Sequence, residues 1–105
     1  MSTGTSADQR NGPRTPIKIP ILMEGNDVSS HAVREESETL LVNYAGALIA
    51  LAAEFQLQDL TRITNRTSGA VSECRIAWRS NAKINERWSY GIALLGEPDN
   101  FWNLK

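Results

Sequence analysis

Apolar and polar residues alternate with a period of two along most of the chain after residue 16, which is typical of strands that bury one face. Pro20 lies in the first of these segments and cannot donate to a ladder, so it indicates an edge or a bend. We predict the following strands from this pattern: Ile17–Gly25, Glu35–Val42, Gly46–Leu51, Leu60–Asn65, Ala70–Arg79 and Arg87–Leu95.

The third segment has a helical alternative. Alanine and leucine are good helix formers and they dominate residues 45–55. Gly46 lies inside this run and the flanking segments alternate with a period of two, so a strand is the preferred interpretation. Residues 66–69 end in Gly69, which is free to adopt positive φ, and they predict a hairpin turn between the fourth and fifth strands.

The alternation also assigns faces to the last two strands. In the fifth strand, one face carries a small thiol and two large apolar side chains: Cys74, Ile76 and Trp78. In the sixth, one face carries four apolar or aromatic residues: Trp88, Tyr90, Ile92 and Leu94. We expect Ile76, Trp78, Ile92 and Leu94 to be buried in the core, with Cys74 packed as a small hydrophobe.

Short strands with polar turns and no long helix predict an all-β fold, either a closed barrel or a small sandwich. A six-stranded antiparallel barrel is favoured, because an open sheet of this size leaves unpaired edges. Residues 1–9 are polar and small and predict a disordered lead, and residues 10–105 predict a single domain. Residues 10–16 contain two prolines and a glycine, and we expect them to form a flexible N-terminal arm of that domain, mobile in the free protein up to Arg14.

Composition limits the possible functions. The 105 residues carry a net charge of −1, which argues against a nucleic-acid coat protein. One cysteine and one histidine exclude an internal disulfide and a zinc site built mainly from those residues. No apolar run approaches the roughly 20 residues of a membrane span, and no signal peptide is recognisable, so a cytoplasmic location is expected and membrane insertion is not. No catalytic motif is present, so the chain is not expected to be an enzyme and no cofactor is expected.

The N-terminal arm carries the most informative polar pattern, Arg10-x-x-x-Arg14 in an extended Gly-Pro segment before the first strand. A guanidinium group binds phosphate bidentately, reads the O6 and N7 acceptors of guanine, and stacks on a base. Two arginines on a short arm are therefore suited to a planar anion, although two arginines four residues apart are common in solvated tails.

The order of features along the chain resembles the PilZ domain family over roughly residues 9–104. The Arg-x-x-x-Arg arm precedes a first strand with an Ile-Pro step, and a strand pair centred on residues 42–48 follows. The stretches that carry most of the resemblance are Glu-Cys-Arg-Ile-Ala-Trp (73–78) and Tyr-Gly-Ile-Ala-Leu-Leu-Gly-Glu-Pro-x-Asn-Phe-Trp (90–102), which match in type, order and spacing.

The resemblance implies a six-stranded barrel that binds the bacterial second messenger cyclic di-GMP and serves in signalling. Arg10 and Arg14 match the family's first binding element. The second, Asp/Asn-x-Ser-x-x-Gly, aligns on Gly46 and places Asn43 at the serine and Leu41 at the Asp/Asn position. Asparagine still donates and accepts hydrogen bonds, but leucine does neither, and one missing polar contact lowers affinity by about 1–3 kcal/mol.

Three functions follow from these observations. The first is a cyclic di-GMP receptor in which Arg10 and Arg14 clamp the ligand, Asn43 holds its edge and Gly46 permits close approach. The second is a PilZ-like protein-interaction module that does not bind the nucleotide and uses the barrel surface. Its candidate anchors are aromatic, although at least two of them are expected to pack in the core instead: Trp88, Tyr90, Phe101 and Trp102. The third, a barrel that binds single-stranded nucleic acid, is disfavoured by the net charge.

Overall fold

Six antiparallel strands close into a barrel in the computed structural model, which describes residues 15–96, 98 and 100–103. The order of strands around the barrel is β1-β2-β3-β6-β5-β4. The strands are β1 (Pro20–Asn26), β2 (Ala32–Asn43), β3 (Gly46–Leu51), β4 (Leu60–Asn65), β5 (Val71–Arg79) and β6 (Trp88–Leu94). The all-β barrel predicted from the hydrophobic pattern is confirmed.

The bounds of β3 and β4 agree with those predicted from the sequence pattern. The start of β5 and both ends of β6 differ from the predicted bounds by one residue. The helical alternative for residues 45–55 is wrong, because β3 pairs along its whole length with β6 and on its other side with β2. The turn over residues 66–69 is confirmed, with Gly69 at a φ of 84°.

β1 begins three residues later than the alternation predicts. The hydroxyl of Thr39, on β2, accepts a hydrogen bond from the Ile19 N–H at 2.8 Å and donates one to the Ile17 carbonyl at 2.6 Å. These side-chain bonds stand beside one backbone bond, from the Thr39 N–H to the Ile19 carbonyl at 3.0 Å, and β2 is irregular between Thr39 and Leu41. The alternation of Ile19, Ile21 and Met23 into the core is nevertheless present.

The interior of the barrel is filled by inward-facing residues of all six strands. The expected burial of Ile76, Ile92, Leu94 and Cys74 is confirmed. Tyr90 is completely buried, and its hydroxyl donates to the Ala53 carbonyl at 2.8 Å and accepts from the Phe55 N–H at 2.9 Å. Other large side chains that are completely buried are Ile21, Met23, Ile49, Leu51, Phe55 and Ile63.

The predicted burial of Trp78 is wrong, since its side chain is 51% exposed. The pairing of β5 with β6 shifts between Ile76 and Trp78, so Ile76 lies opposite Ile92 while Trp78 lies opposite Gly91. An irregularity of this kind inserts an extra residue and reverses the alternation beyond it. Trp78 therefore lies on the outer face, and the roughly 3–5 kcal/mol lost when a core tryptophan becomes alanine does not apply to it.

The segment after β6 returns to the barrel and contributes two buried aromatic side chains, Phe101 and Trp102. The Trp102 indole donates to the Gly46 carbonyl at 3.1 Å, and the Asn65 side-chain amide donates to the Phe101 carbonyl at 2.9 Å. Their rings pack edge to face with centroids 4.7 Å apart. These contacts connect the segment to the ends of β3 and β4.

Candidate functional site

A groove of about 420 Å³ lies on the outer face of the barrel, across β2, β3, β6 and β5. It is shaped by small residues on the middle strands, flanked by larger side chains on the outer two. The residues that line it are Leu41, Asn43, Ala45, Gly46, Ala47, Leu48, Ala77, Trp78, Gly91, Ile92 and Ala93. Two of the predicted site residues, Asn43 and Gly46, are among them.

The strand register explains the shape of this groove. One row of laterally paired residues runs across four strands in the order Leu41, Leu48, Gly91, Trp78. The row beside it contains Asn43, Gly46, Ala93 and Arg75 in the same strand order. Side chains of i and i+2 residues share one face of a strand, so both rows point outward. Glycine and alanine therefore form a low floor between a leucine wall and a tryptophan wall.

Asn43 lies at one end of the groove, where β2 turns into β3. Its Oδ1 accepts hydrogen bonds from the backbone N–H groups of Ala45 at 2.8 Å and Gly46 at 2.9 Å. A side chain that accepts from backbone two residues on stabilises a tight turn. The side-chain oxygen of Asn43 is thus bonded within the turn, and the side-chain NH₂ is the group left for a ligand.

Gly46 has a packing role that the sequence did not reveal. A Cβ atom at this position would stand 1.9 Å from the Ile92 carbonyl oxygen and 3.0 Å from the Ile92 carbonyl carbon. The absence of a side chain therefore lets β3 approach β6 closely. The expectation that Gly46 also admits a ligand to the backbone stays a prediction.

Arg10 and Arg14, the predicted clamp, lie outside the described residues. The first described residue, Thr15, forms an antiparallel bridge with Val42: the Thr15 N–H donates to the Val42 carbonyl at 2.8 Å, and the Val42 N–H donates to the Thr15 carbonyl at 2.9 Å. Val42 is the neighbour of both Leu41 and Asn43. The chain that carries the arginines therefore joins the barrel at the asparagine end of the groove.

The electrostatics of the groove follow from its lining, because none of the described residues that line it is charged. Leu41, where the family's motif has Asp or Asn, lines the groove and does not point into the core. Arg66 and Arg79, elsewhere on the barrel, pair with carboxylates: Arg66 lies 3.3 Å from Glu36, and Arg79 lies 3.0 Å from Glu54. Arg75, the lateral neighbour of Ala93, instead donates to the side-chain oxygen of Gln58 at 2.9 Å. A phosphate in the groove needs cations from outside its described lining.

The aromatic anchors predicted for a protein interface are mostly in the core. Tyr90, Phe101 and Trp102 are buried, and Trp88 is partly buried under the Arg79 guanidinium, 4.3 Å from the ring centroid. The expectation that at least two of the four pack in the core is confirmed by Tyr90, Phe101 and Trp102, which are therefore not surface anchors. Trp78 is the exposed aromatic residue of the groove, and sequence reasoning missed it because strict alternation placed it in the core.

Outside the groove, the thiol of Cys74 is a potential nucleophile, but it is buried. Burial raises the pKa of the Cys74 thiol from 9.0 to about 11, while its contact with the Thr61 hydroxyl at 2.9 Å acts in the opposite direction. A thiol with so high a pKa is unreactive near neutral pH.

Across the described part of the chain, no three His, Cys, Asp or Glu side chains are grouped so as to hold a metal ion. The same residues contain no helix long and apolar enough to cross a membrane.

Comparisons with protein-family models, with curated proteins and with solved structures found no significant match for this chain.

Proposed function

We propose that the protein is a PilZ-like receptor module that binds cyclic di-GMP in the groove, with Arg10 and Arg14 closing over the ligand. The observation that carries this proposal is the bridge between Thr15 and Val42. Arg14 is bonded to Thr15, and consecutive Cα atoms are about 3.8 Å apart. Thr15, the residue that follows Arg14 in the chain, thus pairs with Val42, the neighbour of Asn43, which is the remaining polar side chain of the second binding element.

The groove and the arginines supply different parts of the recognition. Cyclic di-GMP carries two phosphates and two flat guanine bases, and the described lining of the groove offers apolar surface but no charge. The two arginines must then supply most of the charge-assisted hydrogen bonds to the phosphates. Each such contact contributes about 1.5–3 kcal/mol, which is roughly a 10- to 150-fold change in affinity.

Leu41 makes the site weaker than the family's pattern would. Since Leu41 lines the groove, an aspartate at this position would face the ligand or an arginine instead of the apolar interior. Restoring the pattern with Leu41→Asp and Asn43→Ser is therefore expected to tighten binding. A serine hydroxyl also bonds to backbone N–H groups in turns, so the turn at position 43 is retained.

Calorimetric titration of the purified protein with cyclic di-GMP tests the proposal. The wild type is expected to bind weakly, Arg14→Lys to lose most of the affinity, and the Leu41→Asp/Asn43→Ser variant to gain affinity. Lysine cannot grip two acceptors in one plane, so it does not replace Arg14. The matched control is Arg62→Lys, on β4 and outside the groove, which is expected to bind like the wild type.

Equal affinity of the wild type, Arg14→Lys and the double variant would show that these positions are not the site. No binding by a correctly folded double variant would refute nucleotide recognition at this groove.

One observation favours a second function, protein interaction. Trp78 stands half exposed in an uncharged, largely apolar groove, which suits an apolar segment of a partner protein. Interface hot spots are rich in tryptophan set among apolar neighbours. This candidate becomes the preferred one if neither the wild type nor the folded double variant binds the nucleotide.

A further inference from the structure

The connection between β5 and β6 ends in a two-residue turn. Ile84 and Arg87 form an antiparallel bridge, in which the Ile84 N–H donates to the Arg87 carbonyl at 2.9 Å and the Arg87 N–H donates to the Ile84 carbonyl at 3.1 Å. The residues between them, Asn85 and Glu86, have φ values of 54° and 64°. Two successive residues at positive φ are typical of a type I′ turn, for which Asn-Gly is strongly preferred. A glutamate therefore stands where glycine is usual.

The turn is strained at Glu86. A Cβ at positive φ crowds the backbone, and glutamate is neither a glycine nor one of the short polar residues that tolerate this conformation. Strain of this kind clusters at recognition sites. The ion pairs among the described residues use other carboxylates, those of Glu24, Asp27, Glu36 and Glu54. Within the described barrel, no ion pair of Glu86 offsets the strain.

Residues 84–87, the hairpin tip, also present an apolar side chain. Ile84 is 69% exposed, more than any other large apolar residue that the structure describes. The base of the hairpin is well held: the Ser80 N–H donates to the Ser89 carbonyl at 2.9 Å, and the Ser89 N–H donates to the Ser80 hydroxyl at 3.1 Å. A preformed tip loses little conformational entropy when it binds, so it is suited to recognition.

The groove of the same chain is complementary to the hairpin tip. Its described lining is uncharged, and Gly91 and Ala93 lie on its floor. Arg75 is the lateral neighbour of Ala93, and its guanidinium donates to a neutral acceptor, the side-chain oxygen of Gln58. The groove thus offers an apolar floor with a guanidinium beside it, which suits an isoleucine followed closely by a carboxylate.

The spacing of the hairpin tip matches that of the groove. Gly91 and Ala93 are two residues apart on β6, so the rows to which they belong are about 6.6 Å apart. Ile84 and Glu86 are also two residues apart, and their Cα atoms are separated by at most about 7 Å. Ile84 can therefore lie over the row of Gly91. Glu86 then reaches the row that ends in Arg75.

We propose that the chain associates with a second copy of itself, with the hairpin tip of one copy in the groove of the other. Ile84 is buried against the floor of the groove, and the Glu86 carboxylate pairs with the Arg75 guanidinium of the second copy. A net charge of −1 gives little repulsion between copies. The contact occupies the groove assigned above to cyclic di-GMP, but it does not depend on that assignment and is measured without nucleotide.

Sedimentation velocity of the purified protein, from about 10 µM to about 1 mM, tests the contact. A hairpin tip buries a small area, so association is expected to be weak, and the wild-type sedimentation coefficient is expected to rise over this range. Ile84→Asp places a charge at the apolar contact and is expected to stay monomeric. The matched control is Val71→Asp, the same kind of change at a residue that is 55% exposed on β5 and outside the groove. It is expected to associate like the wild type.

Charge reversal tests the ion pair. Glu86→Arg and Arg75→Glu are each expected to weaken association by about 10-fold, because each replaces an attraction with a repulsion. An equal mixture of the two variants is expected to regain association, since the arginine-bearing tip of one can enter the groove of the other, where a glutamate replaces Arg75. A loss of stability in either variant would not be repaired by mixing.

Glu86→Gly separates recognition from folding. Removing the Cβ relieves the strain, so the urea midpoint is expected to rise, while association is expected to weaken because the carboxylate is lost. A purely structural role of Glu86 predicts a lower midpoint instead. Circular dichroism confirms that each variant is folded.

Four results would overturn the proposal. They are a wild type that stays monomeric to about 1 mM, Ile84→Asp that associates like the wild type, Val71→Asp that loses association as well, and a mixture of the charge variants that associates no better than its components. Unchanged association of Glu86→Gly would refute the role of its carboxylate.

Discussion

Replacing Gly46 with alanine is expected to destabilise the barrel far more than replacing Gly91 with alanine. Gly46 lies in β3 and Gly91 in the neighbouring β6, and both line the groove. At Gly46 the new Cβ would meet the backbone of Ile92 at 1.9 Å, whereas at Gly91 it would meet only the Trp78 side chain at 3.4 Å. A backbone carbonyl in a closed barrel has little room to move away.

The magnitude follows from the hydrogen bonds that Gly46 makes. Relieving the clash requires β3 and β6 to separate locally by more than about 1 Å, because non-bonded atoms prefer about 3.5–4 Å. This movement strains the bond from the Gly46 N–H to Asn43 Oδ1 at 2.9 Å and the bond from the Trp102 indole to the Gly46 carbonyl at 3.1 Å. Each of these two bonds, if left unmade, costs about 1–3 kcal/mol, so a total of about 2–6 kcal/mol is expected.

Urea unfolding of the two variants and the wild type, followed by circular dichroism, measures the difference. A small domain loses roughly 1–3 kcal/mol of stability per molar urea, so Gly46→Ala is expected to lower the midpoint by about 1–3 M. Gly91→Ala is expected to shift it little or upward, since replacing a mid-strand glycine reduces the entropy of the unfolded chain by up to about 1 kcal/mol. Equal midpoints for the two variants would refute the packing role of Gly46.

Two further predictions concern buried polar groups. Because burial raises the pKa of Cys74 to about 11, the folded state keeps its proton while the unfolded thiol ionises near 9.0. The stability from this group is complete below about pH 9 and is lost as the pH rises to about 11, by about 2–3 kcal/mol. The difference in unfolding free energy between wild type and Cys74→Ala should shrink over that range, and a constant difference would contradict the assignment. Tyr90→Phe removes the hydroxyl that bonds to Ala53 and Phe55, so a loss of about 1–3 kcal/mol is expected in thermal or urea unfolding; unchanged stability would show that these two backbone groups find other partners.

The hydrophobic pattern predicts the barrel well where side-chain alternation is uninterrupted. β3 and β4 match their predicted bounds, and Ile92 and Leu94 are buried as expected. The failures lie where tertiary pairing changes the register. Trp78 lies beyond an irregularity whose position depends on how β5 pairs with β6, and nothing in the local sequence marks it.

The candidate site is predictable only in part, because its shape arises from rows of residues on different strands. Asn43 and Gly46 do line one groove, as a motif close in sequence allows. Gly91 and Trp78 join it through lateral pairing, which a linear motif does not contain. The burial of Phe101 and Trp102 likewise depends on a return of the chain that polar and glycine residues at 96–100 do not specify.

The hydrogen bond between the Trp102 indole and the Gly46 carbonyl joins residues 56 positions apart, and this separation bears on how the barrel folds. Hairpins such as β2–β3 and β4–β5 bring together neighbours in the chain, whereas β1–β4 and β3–β6 join distant strands. Distant pairings must overcome loop-closure entropy before they contribute, which slows folding. The bond from Trp102 is one of these distant contacts, so we expect it to form late in folding.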